Sequence, residues 1–225
     1  MQRLAEAETI RIGVIGNDAD ADGVPRGFEV ELGQMVAGAL GIPAHAITWI
    51  QSEPTEHERL VEDDFVDVVL AGFAIDERAL EIVDFAGPYY VGGQALLVPS
   101  GTPDAADGTV CTTADVAGRL ELVESEVIVE RYAECVSQLR SGDVDAVSAA
   151  DLTAAGEVGD DLSVSADRVT EEAYGIALAK GDDEFRDFLN DVLEAAIADG
   201  RWATAWSETA EPILGAAQPP AVNRY

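Results

Sequence analysis

Residues 66–98, VDVVLAGFAIDERALEIVDFAGPYYVGGQALLV, constrain the fold more than any other stretch of this chain. VDVVLAG is a continuous apolar run of strand length, as expected of a strand covered on both faces. A helix opens near AIDER, a VDF turn and the GPYY aromatic pair follow, and QALLV reads as a second apolar strand. A strand buried on both faces needs a layer of helices on each side, so this order points to an α/β chain.

The remaining segments extend the alternation. IRIGVIG (10–16) is a short apolar strand and ITWIQ (47–51) a second one. In GFEVELGQMVAGALG (27–41), Phe28, Val30, Leu32, Met35, Val36, Ala39 and Leu40 fall near helical spacing, with Gly41 as the stop. PTEHERLVED (54–63) reads as a helix. The Pro/Gly/Asp-rich PSGTPDAADG (99–108) marks a boundary, and a second α/β series begins after it. That series runs TVCTT, a short helix near ADVAGRLEL, the strand EVIVE, the helix YAECVSQLRSG, the strand VDAVSAA and a helix from about Asp151. The chain returns through YGIALAK (174–180) into the amphipathic EFRDFLNDVLEAAIADG (184–200) and RWATAWSETA.

In order, GFEVELG, VDFAGPYY, GQALLV, YAEC, SGDVDAV, EEAYGIALAKGD and ADGRWA resemble the type-2 solute-binding proteins of the polar amino-acid branch, the substrate receptors of ABC importers. The resemblance spans about Ile10 to Thr209 and implies a two-lobed α/β fold with two hinge crossings. We expect lobe 1 to comprise 8–97 plus 181–214, lobe 2 to comprise 98–180, and 215–225 to be a loose C-terminal tail. The crossings are expected near 95–99 and 174–179, with closure around a solute held between the lobes.

The same resemblance locates ligand positions, and this chain departs from each of them. Where the family reads SITPER or TITPER, its hydroxyl residue falls on Ala74 and its arginine on Ala79, with Arg78 one place earlier. One helical residue is a rotation of about 100°, so Arg78 needs a slipped register; the plainer reading makes Asp76 and Arg78 a solvated helix start. The backbone of Phe73, Ala74 and Asp76 remains available to an anion. In lobe 2, Thr112 and Thr113 stand near a family turn that here lacks its glycine, and Thr113 suits a helix N-cap equally well. The family's ammonium-binding aspartate falls on Ala150, with Asp151 adjacent and itself a natural N-cap. The first loop around Asn17 and Asp18 completes the expected ligand set.

Two cysteines, Cys111 and Cys135, lie too far apart for a CxxC pair. They are either a disulfide in an exported protein or two buried thiols in a cytosolic one. VCTT and RYAEC resemble the cysteine segments of the glutamate-binding members, which implies the disulfide.

Composition narrows the function further. Against 44 Asp plus Glu there are 13 Lys plus Arg, Lys180 being the one lysine, so the formal charge is −31. Such a chain does not suit nucleic acid or anionic membrane surfaces. It fits a halophile, whose self-repulsion is screened where the Debye length falls to about 3 Å near 1 M salt. A generically acidic secreted protein from a GC-rich genome fits as well. No apolar run reaches the roughly 20 residues of a membrane helix, and MQRLAEAETI has no apolar signal-peptide region. With the resemblance, this predicts an extracytoplasmic mature chain, secreted, periplasmic or surface-anchored.

Asp18, Asp20, Asp22, Gly23 and Glu29 match an EF-hand calcium pattern, although a strand precedes the loop and Pro25 and Gly27 interrupt it. His45 and His57 have no metal-ligand spacing and read as surface or helix-face histidines. No nucleophile elbow, phosphate loop or CxxC occurs, and no cofactor is expected. The chain therefore reads as a non-catalytic, monomeric receptor for a small polar solute, an amino acid or a cationic or zwitterionic relative, partnered by an ABC permease. The alternative is a sensor or partner-binding domain that kept the fold and lost the ligand.

Overall fold

A computed structural model describes residues 8–15, 25–102, 108–117, 125–165 and 167–225. Among the described residues, ten strands form two five-stranded sheets. In the first, β1 (Ile10–Val14) lies parallel to β2 (Ile47–Gln51) and β3 (Val68–Val69), and β10 (Glu172–Leu178) runs antiparallel to β3 and to β4 (Asp84–Gly92). In the second, β6 (Thr109–Thr113) is parallel to β7 (Ser125–Val129) and β8 (Ala146–Ala150), and β5 (Gln94–Pro99) is antiparallel to β8 and β9 (Leu162–Val164). The orders β2-β1-β3-β10-β4 and β7-β6-β8-β5-β9 repeat one pattern. In each, the strand entering from the other sheet takes the fourth place, so each lobe is completed by a strand arriving through the hinge.

The sequence accounts for most of these elements. Val68, Val69 and Leu70 are wholly buried, as the continuous apolar run requires. The Phe28–Ala39 helix buries Phe28, Leu32 and Val36 along one stripe and Glu29, Gly33 and Ala37 along the next. The Asp183–Ala198 helix buries Phe185, Leu189, Val192, Leu193 and Ala196, and its Asp182 cap accepts from the Phe185 amide at 3.1 Å. The Arg201–Thr209 helix brings Trp202 and Trp206 onto Phe28, with ring centroids 5.2 Å away in both pairs. This aromatic cluster ties the end of the chain to its first helix within the first lobe. Cys111 and Cys135, with Cα atoms 5.4 Å apart, form the disulfide that pins the Tyr132–Ser141 helix to β6.

Four expectations need correction. All of β5 belongs to the second sheet and all of β10 to the first. The first crossing therefore falls at Gly93, not 95–99, and the second precedes Glu172, not 174–179. Lobe 1 accordingly runs to Gly92 and resumes at Glu172, rather than ending at 97 and resuming at 181. The Gly92–Gly93 pair interrupts the apolar run at the crossing, but the apolar residues on either side carry no mark of which sheet each half joins. The tail is docked, not loose: the Asn223 amide donates to the Gly87 carbonyl at 2.9 Å, and Arg224 pairs with Asp191 and Glu194. Residues 114–117 form a turn, not a helix, with the Val116 and Ala117 amides both donating to the Thr113 carbonyl; 118–124 lie outside the described residues. No helix among the described residues is long and apolar enough to cross a membrane.

The disulfide gives the first test. It joins cysteines 24 positions apart, a cross-link that in the chain-entropy model is worth about 3 kcal/mol. Reduction should lower the thermal midpoint by roughly 6–12 °C, at about 2–4 °C per kcal/mol for a chain of this size. Equal melting with and without reductant would show that the cross-link contributes nothing.

Candidate functional site

The parallel strands of both sheets end facing one another, which is where α/β sheets place ligands. A cleft of about 600 Å³, part of it open to solvent, lies there. The first lobe contributes Ala71–Ala74 after β3, and His57 and Glu58 from the His57–Glu62 helix. The second contributes the turn after β6, the end of β8 and Thr153. The lobes touch at the cleft floor. Gly72 has φ +60°, and a Cβ there would come within 2.8 Å of the Ala150 Cβ. At the rim, Glu53 of the first lobe accepts from the Tyr132 amide at 2.9 Å, capping a second-lobe helix whose own cap residue makes no side-chain bond.

Of the residues singled out in the sequence, Phe73, Ala74, Asp76, Arg78 and Thr113 line this cleft. Ala74 is tied to β10 by a bridge to Tyr174, and the Ile75 amide donates to the Ala173 carbonyl at 2.8 Å. Asp76 caps the Glu77–Ile82 helix by accepting from the Ala79 amide at 2.8 Å. Arg78 is 59% exposed and pairs with Glu58 at 2.7 Å.

Thr112 and Asp151 do not line the cleft. Thr112 is fully buried and its hydroxyl has no protein partner. Asp151, 1% exposed, sits at the hinge. Its Oδ2 accepts from Arg168 Nε at 2.7 Å and from the Tyr90 hydroxyl at 3.0 Å, and its Oδ1 accepts from the Leu152 amide at 2.8 Å. Burial pushes this carboxyl up from the usual range, and the Arg168 charge opposes that. Arg168 also lies 5.5 Å over the Tyr90 ring.

Asn17, Asp18, Asp20 and Asp22 lie outside the described residues. Glu29, the last member of the calcium pattern, is buried beneath Gly72 and accepts from the Gly72 amide and the Tyr89 hydroxyl. No group of three candidate metal ligands occurs among the described residues.

The cleft also contains residues outside the expected ligand set. His57 is 3% exposed rather than on a surface, and its ring lies 5.1 Å from that of Phe73. Burial pushes its pKa down to about 3, so it is neutral, and its Nε2 has no protein partner.

 Desolvation of the imidazolium is the whole cause of that depression from 6.5. The Thr153 hydroxyl and Asp115 Oδ1 are likewise buried without a protein partner. Glu172, which accepts from the Thr170 hydroxyl at 2.9 Å, completes the acidic lining. No spacing rule marks these residues, because each enters the cleft from a different element.

Glu29 supplies a pH test. Burial raises its pKa from 4.5 to about 7, against the lowering effect of the Tyr89 and Gly72 hydrogen bonds. Between those values the folded chain holds a proton that the unfolded chain has released. Stability from this group is thus present below pH 4.5 and lost as pH rises through 7. His57 acts in the opposite sense, losing stability as pH falls from 6.5 toward 3. Glu29→Gln keeps an acceptor for both donors. Its melting temperature should match that of the parent near pH 4.5 and exceed it by several degrees at pH 8, as read by thermal unfolding across pH. A difference that does not change with pH would remove the buried-proton account.

Comparison with known proteins agrees with this architecture. The family described as bacterial extracellular solute-binding proteins, family 3, matches residues 16–207. A glutamate-binding protein of Corynebacterium glutamicum is 28% identical over 210 residues, covering 81% of this chain and 70% of the relative. An L-cystine-binding protein of Escherichia coli K12 is 26% identical over 227 residues, covering 89% and 82%. Among solved structures, a solute receptor for L-cysteine of Neisseria gonorrhoeae superposes with a TM-score of 0.77 at 23% identity, over 95% of this chain and 94% of that one.

Proposed function

We propose that this chain, which belongs to the bacterial extracellular solute-binding proteins of family 3, holds one small polar solute between its lobes and presents the closed form to an ABC permease outside the cytoplasm. The observation that carries the reading is the cleft at the facing strand ends, floored by the Gly72–Ala150 contact and lined by buried polar groups without protein partners. Such groups cost free energy unless a ligand or water satisfies them. Closure about the paired crossings would bring them onto a solute. The role is binding rather than catalysis, as in the curated relatives, which are glutamate-, cystine- and glutamine-binding proteins. The protein acts as a monomer. Its acidic cleft favours a cationic or zwitterionic solute over glutamate.

The experiment is a thermal-shift screen of amino acids, amines and Ca²⁺ at low salt and near 1 M salt, followed by small-angle scattering with any hit. A solute at a hundredfold excess over Kd stabilises by about 2.7 kcal/mol, or roughly 5–11 °C here. That shift, with a smaller radius of gyration, is expected for at least one small cation or zwitterion. No shift with any solute at either salt concentration would sink the receptor reading.

A further inference from the structure

The geometry points to a solute that is an organic cation with N–H donors and no carboxylate, a short aliphatic amine or guanidinium rather than an α-amino acid. This rests on the receptor reading above and names the chemistry of its ligand.

An α-carboxylate in a closed cleft needs cationic or amide donors that are not already taken. Arg78 is the one cation lining the cleft among the described residues, and Glu58 neutralises it at 2.7 Å. The helix start beside it is filled by the chain itself: Asp76 puts its own carboxylate on the Ala79 amide at 2.8 Å. The second lobe answers with another acid. Asp115 stands on the turn after β6, and its Oδ1 is buried without a partner. Glu58, Asp76, Asp115 and Glu172 set four carboxylates against one guanidinium around a partly enclosed space. A ligand carboxylate there would meet like charge from both lobes.

The unpartnered groups suit a donor instead. Asp115 Oδ1 can only accept while ionised, and the Thr153 hydroxyl accepts or donates. The neutral His57 ring offers Nε2 as an acceptor in one tautomer. Phe73, edge-on to Phe85 with centroids 5.0 Å apart, provides an apolar wall for an alkyl stem or a cation. An ammonium or guanidinium would satisfy Asp115 from the second lobe while facing Glu58 and Asp76 from the first. Both lobes would then gain by closing on it.

The test is isothermal titration calorimetry on the whole chain with matched pairs: agmatine against arginine, and cadaverine against lysine. Each pair differs by a carboxylate. Runs near 1 M salt screen attraction to the acidic surface. We expect one site per chain, with each decarboxylated member binding at least tenfold more tightly than its amino acid at both salt concentrations. Asp115→Asn, shown folded by its melting curve, should weaken agmatine at least tenfold and, by removing a charge that repels a ligand carboxylate, narrow the preference for agmatine over arginine. An amino acid binding as tightly as its decarboxylated partner, or a preference that disappears near 1 M salt, overturns the inference and leaves the receptor reading standing. If neither these four solutes nor any in the wider screen binds, both fall.

Discussion

The two crossings between the lobes run against each other, and the rest of the molecule depends on that contact. A Cβ on Gly93 would lie 2.0 Å from the Thr170 carbonyl, so only a residue without one fits. The Gln94 amide donates to the Thr170 hydroxyl and the Val169 amide to the Gln94 carbonyl, at 2.8 and 2.7 Å. Beside them Asp151 is buried with its carboxylate held by Arg168 and Tyr90, and its amide donates to the Gly93 carbonyl at 2.9 Å. A buried carboxylate survives only with such partners. One node therefore joins the helix after β8, the end of β4 and the return toward β10. Because each sheet takes its fourth strand through these crossings, neither lobe is complete without them.

The same contact fixes where ligand chemistry is possible. With the crossings locked at the back, the cleft opens at the strand ends, and its walls are residues that share no motif. Gly72 supports the floor twice over: its conformation and its closeness to Ala150 exclude a side chain, and its amide is held by the buried Glu29. The resemblance put Asp151 next to the expected ammonium position at Ala150, yet Ala150 lines the cleft while Asp151, one step along, is held in the hinge. Arg78 follows similar logic, since displacement by one residue leaves it exposed and bound to Glu58.

How much of this was legible in the sequence depended on the kind of signal. Apolar runs and helical spacing located β1, β2, β3 and the longer helices, because burial on one or both faces leaves a period in the chain. The order of GFEVELG, VDFAGPYY and SGDVDAV carried the fold, and the family match over residues 16–207 agrees. Sheet membership of QALLV was not legible, since a strand is equally apolar in either sheet. Nor was docking of the tail, which rests on Arg224 meeting two acids of a helix about 30 residues earlier.

By itself, then, the sequence determined the α/β layering and the acidic balance, and its resemblance to the family implied the two-lobed fold and placed alanine at three expected clamp positions, 74, 79 and 150. Those are properties of local period, composition and aligned position, each readable along one dimension. Only the tertiary structure decided that His57 is buried and neutral, that Asp76 caps its own helix, and that Asp115 and Thr153 face a cleft without partners. Burial and satisfaction of polar groups depend on what other elements bring near them, and here those neighbours come from distant parts of the chain. The fold alone placed the groups that line the cleft.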